Sequence, residues 1–337
     1  MKNNYSNKFS VAPMLKYTDQ HCLFFYRQLT KNTLLYTEMI TTQKMLHSRN
    51  LFNKKQIKNN HPIAVQLAGS NPKHIEKCAK IAYSMGFNEI NLNIGCPSKH
   101  AQLGNFGVCL MHKPTLVYQL IKSIYFTVPL PISVKIRIGT NKKNDYQSLK
   151  NFIKKVSKNK YCIKFIIHAR IADLKIQSPK KNRKIPLLNY DYVYKIKKDL
   201  PDLIIIINGG IKSILEIKKH LQNVDGVMMG REIYKNPLLL HKIEKEIFSY
   251  KKNINLKKCL KKMLIYINQE KKNGNKIIHI IKHMLNIFYN HPQAKKWKLY
   301  ILYCIHNKKN IFNLFKKINK IFDKKNKNFS INNNIKY

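Results

Sequence analysis

The stretch LIIIINGGIKSILEIKKHLQNVDGVMMGR, residues 203–231, holds the fold in miniature. An unbroken apolar run over 203–207 ends in Asn208-Gly209-Gly210. Helical spacing follows over 213–220, and a second apolar run, DGVMMGR (225–231), ends in Gly230-Arg231. Strand, helix and strand in that order predict a parallel pair joined by a crossover helix. The continuous apolar runs predict strands buried on both faces.

The same unit recurs toward the N-terminus. FSVAPM (9–14), TLLYTEM (33–39), PIAVQLAG (62–69), EINLNIGC (89–96), ISVKIRIG (132–139) and FIIHAR (165–170) bring the strand candidates to eight. Helical patterns lie between them, over about 18–29, 72–85, 115–125, 146–158 and 190–198. Eight such units within about 240 residues match the usual size of a TIM barrel. The main rival, a doubly wound open sheet, calls for a Gly-rich turn after the first strand, and FSVAPMLKYTD has none. The expected architecture is an α/β (β/α)8 TIM barrel over 1–245. From about Leu256 strand signals vanish. KKCLKKMLIYINQEKK, KIIHIIKHMLNIFYNHP, AKKWKLYILYCIHNKK and IFNLFKKINKIF alternate apolar and basic residues at helical spacing. They predict a small all-α domain over 246–337 with a basic face and a frayed end rich in Asn and Lys.

Hydrophobic residues make up 44% of the 337, enough for a real core. Lys and Arg number 64 against 16 acidic residues, a formal charge of +48 that points toward nucleic-acid phosphates. Lys, Asn and Ile are nevertheless enriched in core-like and loop-like segments alike, as genome-wide nucleotide bias would produce, so only part of that charge is expected to serve binding. The six arginines, at 27, 49, 137, 170, 183 and 231, stand out in a chain that uses Lys by default, because guanidinium offers phosphate a planar fork. Seven cysteines lie scattered without metal-type spacing, so neither a disulfide framework nor a metal site is expected. The opening MKNNYSNKFS is not apolar, and the longest strongly apolar run is far too short to cross a bilayer. The expectation is a soluble, cytoplasmic protein.

Functional residues of TIM barrels sit where strands end and loops begin. Those ends carry Pro13 and Met14, then Gln66, then Asn91, Asn93 and Cys96. Lys135 and Arg137 follow, then His168 and Arg170, and finally the INGG and MGR turns. A lysine inside an apolar run is costly unless paired, so Lys135 resists a purely structural reading. His168 by itself reads more readily as a structural histidine. Glycines after the seventh and eighth strands, with an Arg fork, suit a phosphate-bearing cofactor. Gln66 for a pyrimidine edge and Lys135 to balance ring charge suit a flavin. A substrate phosphate on a non-flavin barrel is the alternative. Cys96, in NLNIGCPSKH (91–100), could be a small core residue, a nucleophile, a metal ligand or a proton donor.

APMLKYTD, YTEM, VQLAGS, EINLNIGCPS, GVCLM, SVKIRIG, FIIHAR, INGGI and DGVMMGRE occur in that order between about residues 9 and 240. Together they resemble the tRNA-dihydrouridine synthases, most closely the A subfamily that modifies uridines 20 and 20a of the tRNA D-loop. The resemblance implies an FMN-dependent, NADPH-linked oxidoreductase built as a TIM barrel with a helical tRNA-binding domain. It implies that Pro13, Met14 and Leu15 border the flavin, that Gln66 and Lys135 contact its ring, and that His168 lies nearby. Asn208, Gly209, Gly210, Gly230 and Arg231 would hold its phosphate. Cys96 matches the catalytic cysteine and Asn93 a residue at the substrate base. Lys180 and Arg183 in SPKKNRKIP, with Lys295 and Lys298 in QAKKWKLYI, match basic residues that orient the RNA. Where the family pattern expects arginines in the tail, this chain has lysines, which are point charges without forks.

The implied chemistry explains the cysteine. Reducing the uracil 5,6 double bond needs a hydride at carbon 6 and a proton at carbon 5. Thiols, at about 8.5, are mostly protonated at neutral pH, whereas carboxylic acids are not. Cys96 then reads as the proton donor, on the face of the base opposite the flavin. A uridine inside folded tRNA must be extruded to reach such a site, at a cost of a few kcal/mol that phosphate contacts offset. A monomer binding one tRNA is expected.

Overall fold

The computed structural model describes residues 5–48, 51–176, 178–251 and 253–306. Eight strands pair in chain order, all parallel: β1 (Phe9–Val11), β2 (Leu34–Thr41), β3 (Ile63–Ala68), β4 (Glu89–Asn93), β5 (Ile132–Arg137), β6 (Lys164–His168), β7 (Ile204–Asn208) and β8 (Gly226–Met229). β8 returns to β1 through Phe9↔Val227, Ser10↔Met228 and Val11↔Met229, so the barrel closes and leaves no edge strand. The TIM barrel expected from the apolar runs is the observed fold.

Local chemistry sets the helix ends between strands. Helix Pro72–Met85 starts where Asn71 accepts the His74 N–H at 3.2 Å, and stops at Gly86 with φ +86°. Helix Gln20–Leu29 begins later than its hydrophobic pattern suggests. The Asp19 side chain accepts the N–H groups of His21 and Cys22 and so fixes the first turn there. Helices Thr42–His47, Lys54–Asn59 and Lys99–Leu103 went unseen in the sequence, because five or six residues are too few to reveal a 3.6-residue period.

Side chains alternate across each strand, which divides the apolar residues into two cores. Ile90, Leu92, Val134, Ile136, Ile167 and Ile205 face the helix layer. Ala12, Leu34, Tyr36, Ala64, Ile166, Ile206 and Met228 fill the lumen. β4 and β5 break the pattern: their lumen positions are Glu89, Asn91 and Asn93, and Ser133, Lys135 and Arg137. The polar groups of the site therefore grow out of the barrel interior itself.

Helix Leu239–Glu246 follows β8, and helices Leu256–Lys272, Ile277–Ile281 and Ala294–His306 then make up the C-terminal helical part. It docks on helix Gln20–Leu29 and its N-cap Asp19. The Tyr266 ring stacks on Phe24 at 3.9 Å between centroids, and its hydroxyl meets His21 Nδ1 at 2.7 Å. Asp19 receives Lys282 Nζ at 3.0 Å and His283 Nε2 at 2.9 Å. Burial would raise the Asp19 carboxyl, but His283 and Lys282 hold it down at about 2. The amphipathic stretch IFNLFKKINKIF and the Asn- and Lys-rich end lie outside the described residues. Among the described residues no helix is long and apolar enough to cross a membrane.

Candidate active site

The strand ends meet at one mouth, and register explains which side chains become neighbours. Asn93 is paired with Lys135, Arg137 with His168, His168 with Asn208, and Asn208 with Met228. Lys135 Nζ crosses to Asn208 Oδ1 at 2.9 Å, and Asn208 Nδ2 donates to the Met228 carbonyl at 2.8 Å. Gln66 is 1% exposed; its Nε2 donates to Asn91 Oδ1 at 2.7 Å and its Oε1 accepts from Asn93 Nδ2 at 2.9 Å.

Cys96 sits partly exposed on the loop after β4. Asn93 Oδ1 accepts the N–H groups of Gly95 and Cys96, at 3.2 and 3.0 Å, and the Cys96 carbonyl accepts the Val108 N–H at 3.0 Å. Gly107 is required beneath it: φ is +68°, and a Cβ there would lie 2.6 Å from the Cys96 carbonyl oxygen. The thiol lies 3.3 Å from Ser98 Oγ.

The turns after β7 and β8 leave open backbone. Gly209 and Gly210 have φ of +120° and +73°. A Cβ on Gly209 would come 2.6 Å from His168 Cδ2, one on Gly210 2.5 Å from Leu188 Cδ1, and one on Gly230 3.2 Å from Met14 Sδ. Ala12 N–H bonds the Met229 carbonyl at 2.7 Å, which brings Pro13, Met14 and the exposed Leu15 beside the MGR turn.

Cations crowd the mouth: Lys135, Arg137, Arg170, Arg183 and Arg231. Among the described residues none of these five is ion-paired with a carboxylate. Burial, with Arg137 and Arg183 next in weight, pushes Lys135 down to about 7. Burial and then Arg137 and Lys135 drive His168 well below its ordinary value, so its imidazole is neutral. Arg183 is lowered by burial and by Arg231. A cluster of unbalanced charge on glycine-lined backbone is what an anionic ligand would neutralise. Arg170 Nε, buried with no partner, adds an unused donor. These features fit a phosphate-bearing cofactor held by the β7 and β8 turns.

Two residues that sequence reasoning did not place in a role organise the surrounding loops. Arg137, 3% exposed, donates to the Gly95 carbonyl at 3.2 Å, to Ile171 at 2.7 Å and to Asn182 at 3.1 Å, so it ties the Cys96 loop to the loop after β6. Asn182, fully buried, holds that second loop by bonds to Asp173 and Ile176. Its position within KKNRK resembles a solvated basic run, and only a three-dimensional contact distinguishes it. Lys180 is exposed and Arg183 half-buried on this loop, at the mouth; Arg231 Nη2 reaches the Arg183 carbonyl at 3.4 Å. Lys295 and Lys298 are exposed on helix Ala294–His306, apart from the mouth cluster. Among the described residues no group of three or more His, Cys, Asp or Glu side chains is arranged to hold a metal ion.

Residues 10–325 match the family profile described as dihydrouridine synthase (Dus). A Vibrio cholerae protein named tRNA-dihydrouridine(20/20a) synthase is 45% identical over 301 residues, covering 88% of this chain and 91% of that one. Proteins of the same name from Escherichia coli K12 and Yersinia pestis are 46% and 44% identical, over 88% and 87% of this chain and 86% and 85% of theirs. The barrel, its mouth and these relatives together establish that the chain belongs to the dihydrouridine synthase family.

Proposed function

We propose that this protein reduces the 5,6 double bond of uridines 20 and 20a in the D-loop of tRNA, with FMN at the barrel mouth and NADPH as reductant. The observation that carries the reading is the meeting, at one mouth, of a loop-borne thiol with a glycine-lined cluster of cations, none of them ion-paired with a carboxylate among the described residues. The relatives' shared name supports the substrate. In this reading residues 1–245 form the catalytic domain and 246–337 the tRNA-binding domain of a cytoplasmic monomer.

Asn208, Gly209, Gly210, Gly230 and Arg231 would hold the FMN phosphate, with Pro13, Met14 and Leu15 along the flavin and Gln66, Lys135 and His168 at its ring. Bound and reduced, FMN would supply the hydride for carbon 6 of uracil. Cys96 Sγ–H gives the proton to carbon 5 from the other face, so the hydride and proton together saturate the bond. Asn93, already fixing the Cys96 backbone, would contact the base. Lys180, Arg183, Lys295 and Lys298 would orient the RNA through phosphate contacts, which set register without reading sequence.

Cys96→Ala tests the assignment. The variant is expected to retain FMN and tRNA binding while losing at least about a hundredfold in single-turnover dihydrouridine formation, the usual scale of a lost general acid. Full activity would overturn the role of Cys96. Absence of flavin from the purified wild type would overturn the cofactor.

A further inference from the structure

A ladder of hydrogen bonds climbs the lumen from the barrel floor to the Cys96 loop. At the floor, Lys164 Nζ donates to Glu89 Oε2 at 2.9 Å, and the Tyr5 hydroxyl donates to the same oxygen. The Tyr36 hydroxyl donates to Glu89 Oε1 at 2.6 Å, as does the Ser133 hydroxyl. Ser133 Oγ accepts from Asn91 Nδ2 at 2.7 Å, and Asn91 Oδ1 accepts from Gln66 Nε2 at 2.7 Å. Gln66 Oε1 accepts from Asn93 Nδ2 at 2.9 Å, and Asn93 Oδ1 accepts the Cys96 N–H at 3.0 Å.

Every link donates toward Glu89, and both ends enforce that direction. A backbone N–H can only donate, so Cys96 must meet the oxygen of Asn93 and not its nitrogen. An ionised carboxylate can only accept, so Ser133 must donate to Glu89 and turn its lone pairs to the Asn91 amide. Glu89 is fully buried; burial would raise its carboxyl, but Lys164 and then the three hydroxyls outweigh that and keep it ionised. The orientation of an Asn or Gln amide is set by its hydrogen-bond partners. Here one flip would set donor against donor at one neighbouring link and acceptor against acceptor at the other, so the amides are ordered as a unit.

We propose that Glu89, acting through Ser133 and Asn91, sets the amide orientation of Gln66 and Asn93 and thereby the placement of the Cys96 loop. These three are positioning residues, and their consequence for turnover rests on the function proposed above. Gln66 and Asn93 each keep one N–H that the ladder leaves unused. They therefore meet a ligand as donors to carbonyl oxygens, which uracil and the flavin ring both carry.

Ser133→Ala removes one rung and little else. In flavin-free protein labelled with 15N-glutamine, the side-chain amide of Gln66 is followed by NMR, its signal assigned with Gln66→Glu. Exchange of that amide with solvent is expected to accelerate at least tenfold in Ser133→Ala and to return toward wild type in Ser133→Thr. In the FMN-loaded enzyme, kcat for tRNA is expected to fall at least tenfold with KM within twofold. Unchanged amide exchange overturns the ladder; faster exchange with unchanged kcat overturns its positioning role. The exchange measurement needs neither flavin nor RNA, so it separates failure of the ladder from failure of the functional reading, which an inactive wild type would reveal. Should Ser133→Ala not fold, Ser133→Cys fills the same space with a weak hydrogen-bonding group and is read the same way.

Discussion

Lys135→Met in the flavin-free protein is expected to raise stability while it removes function. Lys135 drops from an ordinary value of 10.5 to about 7 on folding, chiefly through burial. Between those values the unfolded chain binds the proton that the folded one releases, so stability rises with pH through that window and is lowest at and below about pH 7. At pH 7 the penalty is about 4 kcal/mol, and at pH 9 about 2 kcal/mol. Lys135 keeps part of its surface at the mouth, and solvent screening trims the neutral-pH figure to about 2–4 kcal/mol. Methionine has a similar length and no charge, but it leaves Asn208 Oδ1 without the donor now 2.9 Å away, a loss of about 1–2 kcal/mol. The balance makes the variant about 1–2 kcal/mol more stable than wild type near pH 7. The advantage fades and reverses around pH 9. Urea unfolding of both proteins across pH 6.5–9.5 measures it. A variant less stable at neutral pH, or a difference that ignores pH, would refute the claim that the mouth stores uncompensated charge. Saturating flavin is expected to erase the advantage, since an anionic ligand stabilises the charged lysine only in wild type.

Lys164→Met strands the buried carboxylate of Glu89, whose partner lies 2.9 Å away with side-chain exposures of 5% and 0%. It is expected to cost about 3–5 kcal/mol of unfolding free energy at neutral pH. Because the folded Glu89 carboxyl is lowered, the ion pair contributes above the ordinary carboxylate range and is lost as pH falls; the gap to wild type should narrow in acid denaturation. Gly209→Ala places a methyl 2.6 Å from His168 Cδ2 at φ +120°, so about 1–3 kcal/mol of stability should go, together with most FMN affinity in a fluorescence titration.

Much of the site was legible because the barrel places it by rule. Once eight runs were counted, each strand end became a candidate position, and INGG and MGR fell on adjacent strands where Asn208 pairs with Met228. EINLN and SVKIR even show the alternation that turns Glu89, Asn91, Asn93, Ser133 and Lys135 inward. Arg137, Asn182 and Lys164 were less visible as organisers. A basic residue in a Lys-rich chain gives no sign of whether it clamps carbonyls, closes a loop or faces water, since the difference lies in contacts made 34 to 75 positions away along the chain.

The sequence alone determined the order of strands, the barrel class, the helical part and the residue types at the mouth, because period, run length and glycine placement are local properties of the chain. Tertiary structure alone decided which polar groups became partners. The direction of the lumen ladder, the gathering of five cations at one mouth with no carboxylate ion-paired to them among the described residues, and the docking of Lys282 and His283 on Asp19 depend on barrel closure. Closure brings distant positions within 3 Å and removes the water that would otherwise have satisfied each of them separately.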